Sequence, residues 1–179
     1  MTAFVESLAM PPELILDPIK LDTSRVIAGR EELRKTNPQR FEMEQIDGIV
    51  LLDLEKHLIA GFKDVGNDEF WVRGHMPGFP LLPGVLMCEA AAQMVSYYIA
   101  IAGMVKPGEF IGFGGMENVR FRGMVKPGDR LILAGKGIKV HRRQTIFNVQ
   151  GFVGSGLVFH ADIIGMNISR SATPVEAGN

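Results

Sequence analysis

Gly74-His75-Met76-Pro77-Gly78-Phe79-Pro80-Leu81-Leu82-Pro83-Gly84-Val85-Leu86-Met87-Cys88-Glu89-Ala90-Ala91-Ala92-Gln93 is the stretch on which the fold turns. Three prolines and three glycines from Gly74 to Gly84 forbid regular structure until Pro83-Gly84, and helix-compatible residues then run to about Ala102. That helix is apolar on nearly every face, so other structure must enclose it. Glu89 is the only charged residue between His75 and Lys106. An ionised carboxyl is costly in apolar surroundings unless it is paired or neutralised, so its retention points to a task. His75 precedes it in the loop, and an acid with a base in one pocket is the leading hypothesis. Gln93 lies at i+4 from Glu89, on the same helix face, where its amide can orient the carboxyl.

The enclosing structure is written on both sides. Downstream, Arg120–Val125, Arg130–Val140, Gln144–Val153 and Leu157–Met166 read as strands. They are joined by Lys126-Pro127-Gly128-Asp129, by His141-Arg142-Arg143 and by Gly154-Ser155-Gly156, all turn sequences. Upstream, Ile49–Leu54 and Leu58–Val65 outline a hairpin, and Glu69–Arg73 reads as a further short strand. One central helix with a run of strands predicts an α+β domain, the helix laid on a curved antiparallel sheet. Met104-Val105-Lys106-Pro107-Gly108 recurs as Met124-Val125-Lys126-Pro127-Gly128, which reads as reused turn chemistry. Residues 1–37 read as an arm, with a short polar helix over Gly29–Lys35 stopped at Asn37-Pro38.

At 179 residues, 46% hydrophobic and 22% charged, the chain suits one globular domain. A net charge of -1 gives no overall basic footprint for nucleic acid or an anionic membrane. Residues 1–105 nevertheless carry 9 basic and 15 acidic side chains, and residues 106–179 carry 10 and 5. Positive charge around Arg120, Arg122, Lys126, Arg142 and Arg143 would either steer an acidic partner or form a solvated strand surface. The single cysteine, Cys88, excludes an intramolecular disulfide, and no zinc spacing or phosphate-binding glycine loop is present. Met1–Glu6 shows no secretory signal, so a cytoplasmic location is expected. Val85–Val105 is long enough to be scored as a membrane span, but its central carboxylate argues for a buried core helix, and no membrane association is expected.

The run His75-Met76-Pro77-Gly78, then Pro83-Gly84-Val85-Leu86, then Glu89-Ala90-Ala91-Ala92-Gln93 resembles the active-site segment of bacterial beta-hydroxyacyl-acyl-carrier-protein dehydratases of the hotdog fold. Phe113–Phe121 is similar to that family's strand after the helix, and Val125–Asp129 to its next turn. The resemblance implies a domain over 38–168, with an arm over 1–37 and a tail over 169–179. Where the family has Pro-His-Arg-aromatic-Pro-aromatic, this chain has Pro38-Gln39-Arg40-Phe41-Glu42-Met43, and Met76 replaces the aromatic after the histidine.

By that resemblance the chain removes water from a (3R)-3-hydroxyacyl thioester, carried on acyl carrier protein or CoA, in fatty-acid or related lipid synthesis. No cofactor or metal is implied. Such an elimination needs a base for the proton alpha to the carbonyl and an acid for the departing hydroxyl. Imidazole suits the first, giving His75, and a carboxyl held protonated suits the second, giving Glu89. The Gly84 N–H, at the start of the helix, is placed to meet charge developing on the thioester oxygen. Gln93, Phe113 and Gly114 complete the implied substrate site. Glutamate in place of aspartate implies dehydration without double-bond isomerisation. The family draws the histidine and the acid of one site from different subunits, which implies a homodimer or a trimer of dimers. Two alternatives share the fold: a thioesterase that attacks the acyl carbonyl with water, and a non-catalytic acyl-thioester binding protein.

Overall fold

The computed structural model describes residues 12–169. The first 11 residues of the arm and the tail beyond Ser169 lie outside the described residues. The elements run β1 (Ala28–Gly29), α1 (Arg30–Leu33), β2 (Gly48–Asp53), β3 (Leu58–Asp64), α2 (Gly84–Ile101), β4 (Glu109–Phe121), β5 (Arg130–His141), β6 (Gln144–Val153) and β7 (Gly156–Ser169). The seven strands form one antiparallel sheet in the order β1-β2-β3-β5-β6-β7-β4.

Helix α2 lies in the hollow of that sheet. Ala90, Ala91, Met94, Val95, Tyr98 and Ile99 are almost wholly buried, in one cluster with Ile59, Leu131, Leu133, Phe147, Phe159 and Ile163 of the strands. Removing this apolar area from water is the main favourable contribution to folding. The Tyr98 hydroxyl, carried into the interior, finds Nδ1 of His57 at 2.7 Å, and its ring packs on Phe147 with centroids 4.8 Å apart. Among the described residues α2 is the one helix long and apolar enough to span a membrane, and most of it is enclosed by its own sheet.

The arm closes the opposite face of the sheet. Ile15, Leu16 and Leu21 pack on Val50, Phe62, Ile132 and Phe152, and the fully buried Gln150 clasps the backbone there. Its Oε1 accepts from Ile15 N at 3.0 Å and its Nε2 donates to Glu13 O at 2.7 Å.

The turns follow the expected chemistry. In both copies of the repeated pentapeptide the acid after the glycine bonds back to the lysine: Glu109 N to Lys106 O at 3.0 Å, and Asp129 N to Lys126 O at 3.0 Å. Each acid side chain also accepts the lysine N–H, at 3.0 and 2.8 Å. Gly108 (φ 83) and Gly128 (φ 95) occupy the left-handed position that follows proline in a type II turn.

Two strand expectations are corrected. Glu69–Arg73 is a tight helical turn, with Val72 N bonded to Glu69 O and His75 N to Trp71 O. Glu69 is drawn down onto β3 by Lys63, a lysine only 2% exposed, at 2.6 Å, and Trp71 is buried beneath. The strand expected over Arg120–Val125 instead begins at Glu109 and ends at Phe121. It pairs with β7 through two irregularities, at Phe113/Gly115 and Glu117/Arg120, that bend it around the helix.

Lys63→Met should cost roughly 3–5 kcal/mol of folding stability by leaving the Glu69 carboxylate unpaired, measured by chemical denaturation. Adding Glu69→Gln, which leaves no charge to bury, should restore most of that loss.

Candidate active site

The helical repeat places Gln93 one turn beyond Glu89, and Gln93 Nε2 donates to Glu89 Oε1 at 2.7 Å. The same Nε2 donates to Met43 O at 2.6 Å, while Gln93 Oε1 accepts from Gln45 N at 2.9 Å. The buried Asn37 donates from Nδ2 to Gln93 O at 2.9 Å. Residues 37–45 are thus strapped across the helix at one glutamine. Gln39 reaches Glu89 directly, its Nε2 lying 3.3 Å from the same Oε1. Glu89 is half-buried, and its immediate neighbours are amides, not the purely apolar wall expected.

Arg40 fixes this strap by donating to three backbone carbonyls, those of Asn37 at 2.8 Å, Gln39 at 2.6 Å and Arg34 at 3.0 Å. Arg34 grips Glu44 with two bonds of 2.6 and 2.8 Å. The paired guanidinium holds the Glu44 carboxyl below its ordinary pKa and is itself raised. The clamp therefore persists to lower pH than an unpaired glutamate would allow.

Opposite the strap, Ile111 and Phe113 of β4 and Ile163 and Ile164 of β7 line a cleft that also meets Glu89 and Gln39. Its free space within one chain is about 40 Å³, room for water but not for an acyl chain. Gly114 is the extra residue at the first irregularity of β4, and a Cβ there would strike Met166 Cγ at 2.7 Å.

His75 stands in the exposed loop between β3 and α2. Its amide bonds to Trp71 O and its carbonyl accepts from Leu81 N, both at 2.8 Å. Nδ1 lies 2.8 Å from Leu81 O. A carbonyl only accepts, so Nδ1 carries the hydrogen and the neutral ring presents a bare Nε2. Phe79 of the same loop lies under Lys126, with Nζ 5.1 Å from the ring centre. Behind the loop, Glu69 joins Lys63 with one carboxylate oxygen and accepts from Trp71 Nε1 at 3.1 Å with the other.

Gly84 is the first residue of α2, after Pro83 as cap, where an amide has no preceding turn to serve. A Cβ at Gly84 would lie 2.7 Å from the Phe121 ring, so any larger residue must displace that ring.

Glu89, Gln93 and Phe113 therefore share one cleft. The described contacts of His75 are all within its own loop and those of Glu89 are with Gln93 and Gln39; none joins the two within the chain. Around them Met76, Phe79, Val85, Phe113, Phe121 and Met124 are exposed apolar side chains. Among the described residues β4 is the end strand of the sheet, and no strand pairs with its outer edge. Among the described residues no three His, Cys, Asp or Glu side chains converge to hold a metal. Sequence reasoning assigned no place in the site to Asn37, Gln39, Gln45, Lys63 or Glu69. The available signals were Lys63 after the apolar run 58–62 and the departure from the family pattern at Gln39.

Cys88, one residue before Glu89, is 3% exposed, and burial pushes its thiol up to about 11. It stays protonated near neutral pH and faces the core, which suits packing and not nucleophilic attack. Native protein at pH 8 should resist alkylation of Cys88 by iodoacetamide, whereas unfolded protein should label fully, as read by mass spectrometry.

Comparison with known proteins follows these lines. Residues 37–162 match the FabA-like domain family. The chain is 35% identical over 130 residues to a 3-hydroxyacyl-(acyl-carrier-protein) dehydratase FabZ of Fusobacterium nucleatum, covering 73% of this chain and 90% of that relative. Among solved structures it is similar to the dehydratase heterocomplex ApeI:P from Xenorhabdus doucetiae (TM-score 0.62, 11% identity, 77% and 91% coverage). It is also similar to a thioesterase from Haemophilus influenzae (TM-score 0.51, 14% identity, 69% and 80% coverage). At such identities the structures speak for the hotdog fold alone.

Proposed function

The chain belongs to the FabA-like family of 3-hydroxyacyl-acyl-carrier-protein dehydratases, and from that membership we propose that it converts a (3R)-3-hydroxyacyl thioester, carried on acyl carrier protein, to the trans-2-enoyl thioester in fatty-acid synthesis. The observation that carries this reading is the cleft in which Glu89, the lone carboxyl of α2, is gripped by Gln93 and faces the strand bearing Phe113. The relative at 35% identity favours dehydration over thioester hydrolysis, since the thioesterase likeness extends to fold only.

In the proposed mechanism Nε2 of His75 removes a proton from C2, the Leu81 carbonyl holding the ring by Nδ1. Glu89 gives its proton to the hydroxyl on C3 as that C–O bond breaks. The electron pair released from C2–H becomes the C2=C3 bond, and the oxygen departs as water. Charge gathering on the thioester oxygen is met by the Gly84 N–H at the positive end of α2. Transfer of the proton from the imidazolium to the carboxylate, through water, resets the pair.

The domain is proposed to span 38–168, with 1–37 as arm and 169–179 as tail, in a cytoplasmic homodimer. What supports the dimer is the exposure of His75, the unpaired edge of β4 and the apolar side chains beside them. One site then takes His75 from one subunit and Glu89 from the other. Arg120 and Arg122 near this edge support docking of an acidic carrier. The two guanidiniums, after burial, are what lower the pKa of His160 between them.

With a 3-hydroxyacyl carrier-protein thioester, enoyl absorbance should rise; free thiol without enoyl product would sink the dehydratase reading. His75→Ala and Glu89→Gln should each lower kcat about 100-fold or more while circular dichroism stays unchanged. Refolding these two inactive variants together should restore about a quarter of wild-type activity. Half of the dimers are then mixed, and each mixed dimer rebuilds one of its two sites. A site contained in one chain would give no recovery.

A further inference from the structure

Glu89 is held by a second amide that the acid–base scheme does not require. Gln39 Nε2 meets Glu89 Oε1, the oxygen already bonded to Gln93 Nε2, while Gln39's own Oε1 is buried without a hydrogen-bond partner. A buried amide oxygen left unpaired is destabilising, and an apolar side chain of the same length would avoid that cost. The chain instead keeps a carboxamide, where the family pattern has histidine, at the one place where its N–H touches the candidate acid.

The contacts at the two carboxyl oxygens differ. Oε1 has two N–H donors, whereas no described hydrogen bond ends on Oε2. In a protonated carboxyl the hydroxyl oxygen is the poorer acceptor, so two donors on Oε1 assign the hydrogen to Oε2. We infer that Gln39 is a positioning residue: with Gln93 it saturates Oε1 of Glu89, fixing the acid's proton on Oε2, the oxygen left for the departing hydroxyl. This rests on the dehydratase reading, in which Glu89 protonates that group. Gln39 acts through Glu89, whose Oε1 it meets, so its main effect falls on turnover.

The test is Gln39→Met in the full-length protein, which keeps side-chain length while deleting both the donor and the unpaired oxygen. The expected result is an unchanged or higher Tm, KM within about twofold of wild type and kcat lower by about tenfold or more. Gln39→His, whose ring N–H can still donate, should retain more turnover than the methionine variant. A fully active Gln39→Met, or a loss of kcat that merely tracks a fall in Tm, overturns the inference. Wild type and Glu89→Gln are measured alongside. An active wild type, an inactive Glu89→Gln and a fully active Gln39→Met would refute the Gln39 role alone. A wild type without enoyl product would refute the dehydratase reading, and this inference with it.

Discussion

Helix α2 is apolar almost all round and carries a single carboxyl, and the rest of the molecule is arranged to satisfy both facts at once. Enclosing 18 residues of such a helix takes a sheet broad and curved enough to wrap it, which seven antiparallel strands supply. The carboxyl cannot simply be enclosed with them. Its neighbourhood is completed by residues 37–45, whose amides bond to Gln93 and Glu89 before the chain enters β2. The stretch that departs most from the family pattern is therefore the one that shapes the surroundings of the acid.

The two candidate proton-transfer groups are held by separate devices on rigid elements. Glu89 is oriented from the helix and the strap. His75 is oriented from β3, through the buried Lys63–Glu69 pair, the Trp71 indole and the turn whose carbonyl receives the His75 amide. A buried ion pair adds little net stability compared with apolar packing, but it is specific about geometry. Specific geometry is what a loop histidine needs, because general-base transfer demands an atom within hydrogen-bond reach of the proton it takes. The Leu81 carbonyl then fixes the tautomer, so placement and chemical state come from the same short segment.

What the sequence made legible was local. The boundaries of α2 follow from Pro83-Gly84 and the apolar run, and β5, β6 and β7 from strands punctuated by turn residues. The Lys-Pro-Gly-acid turns were readable because the bonds that close them, from acid to lysine and back, span three residues. The residue pattern did not show the first half of β4, because Gly112, Gly114 and Gly115 weaken a strand signal that pairing with β7 nonetheless satisfies, and the resemblance marked the strand only from Phe113. Glu69–Arg73 looked extended from its aromatic content, whereas local backbone bonds turn it and Lys63 anchors its first residue from across the fold. Gln39 lies 50 positions from Glu89 in the chain, and no local pattern announces a contact of that range.

The exposed surfaces bear on assembly in the same physical way. A long, unpaired, apolar edge strand is a hazard for a soluble chain unless something covers it. Glu117, Arg120 and the two irregularities of β4 protect it only in part: Phe113, Met116 and Phe121 are all substantially exposed along it. In the proposed homodimer, covering that edge and completing the site are one event. The edge is covered by its own copy, and the exposed His75 loop of one subunit is brought to the cleft of the other. The small space at Glu89 within a single chain is then half of a chamber whose second wall the partner provides, so that an isolated subunit, with its core intact, would hold an acid with no base to work against.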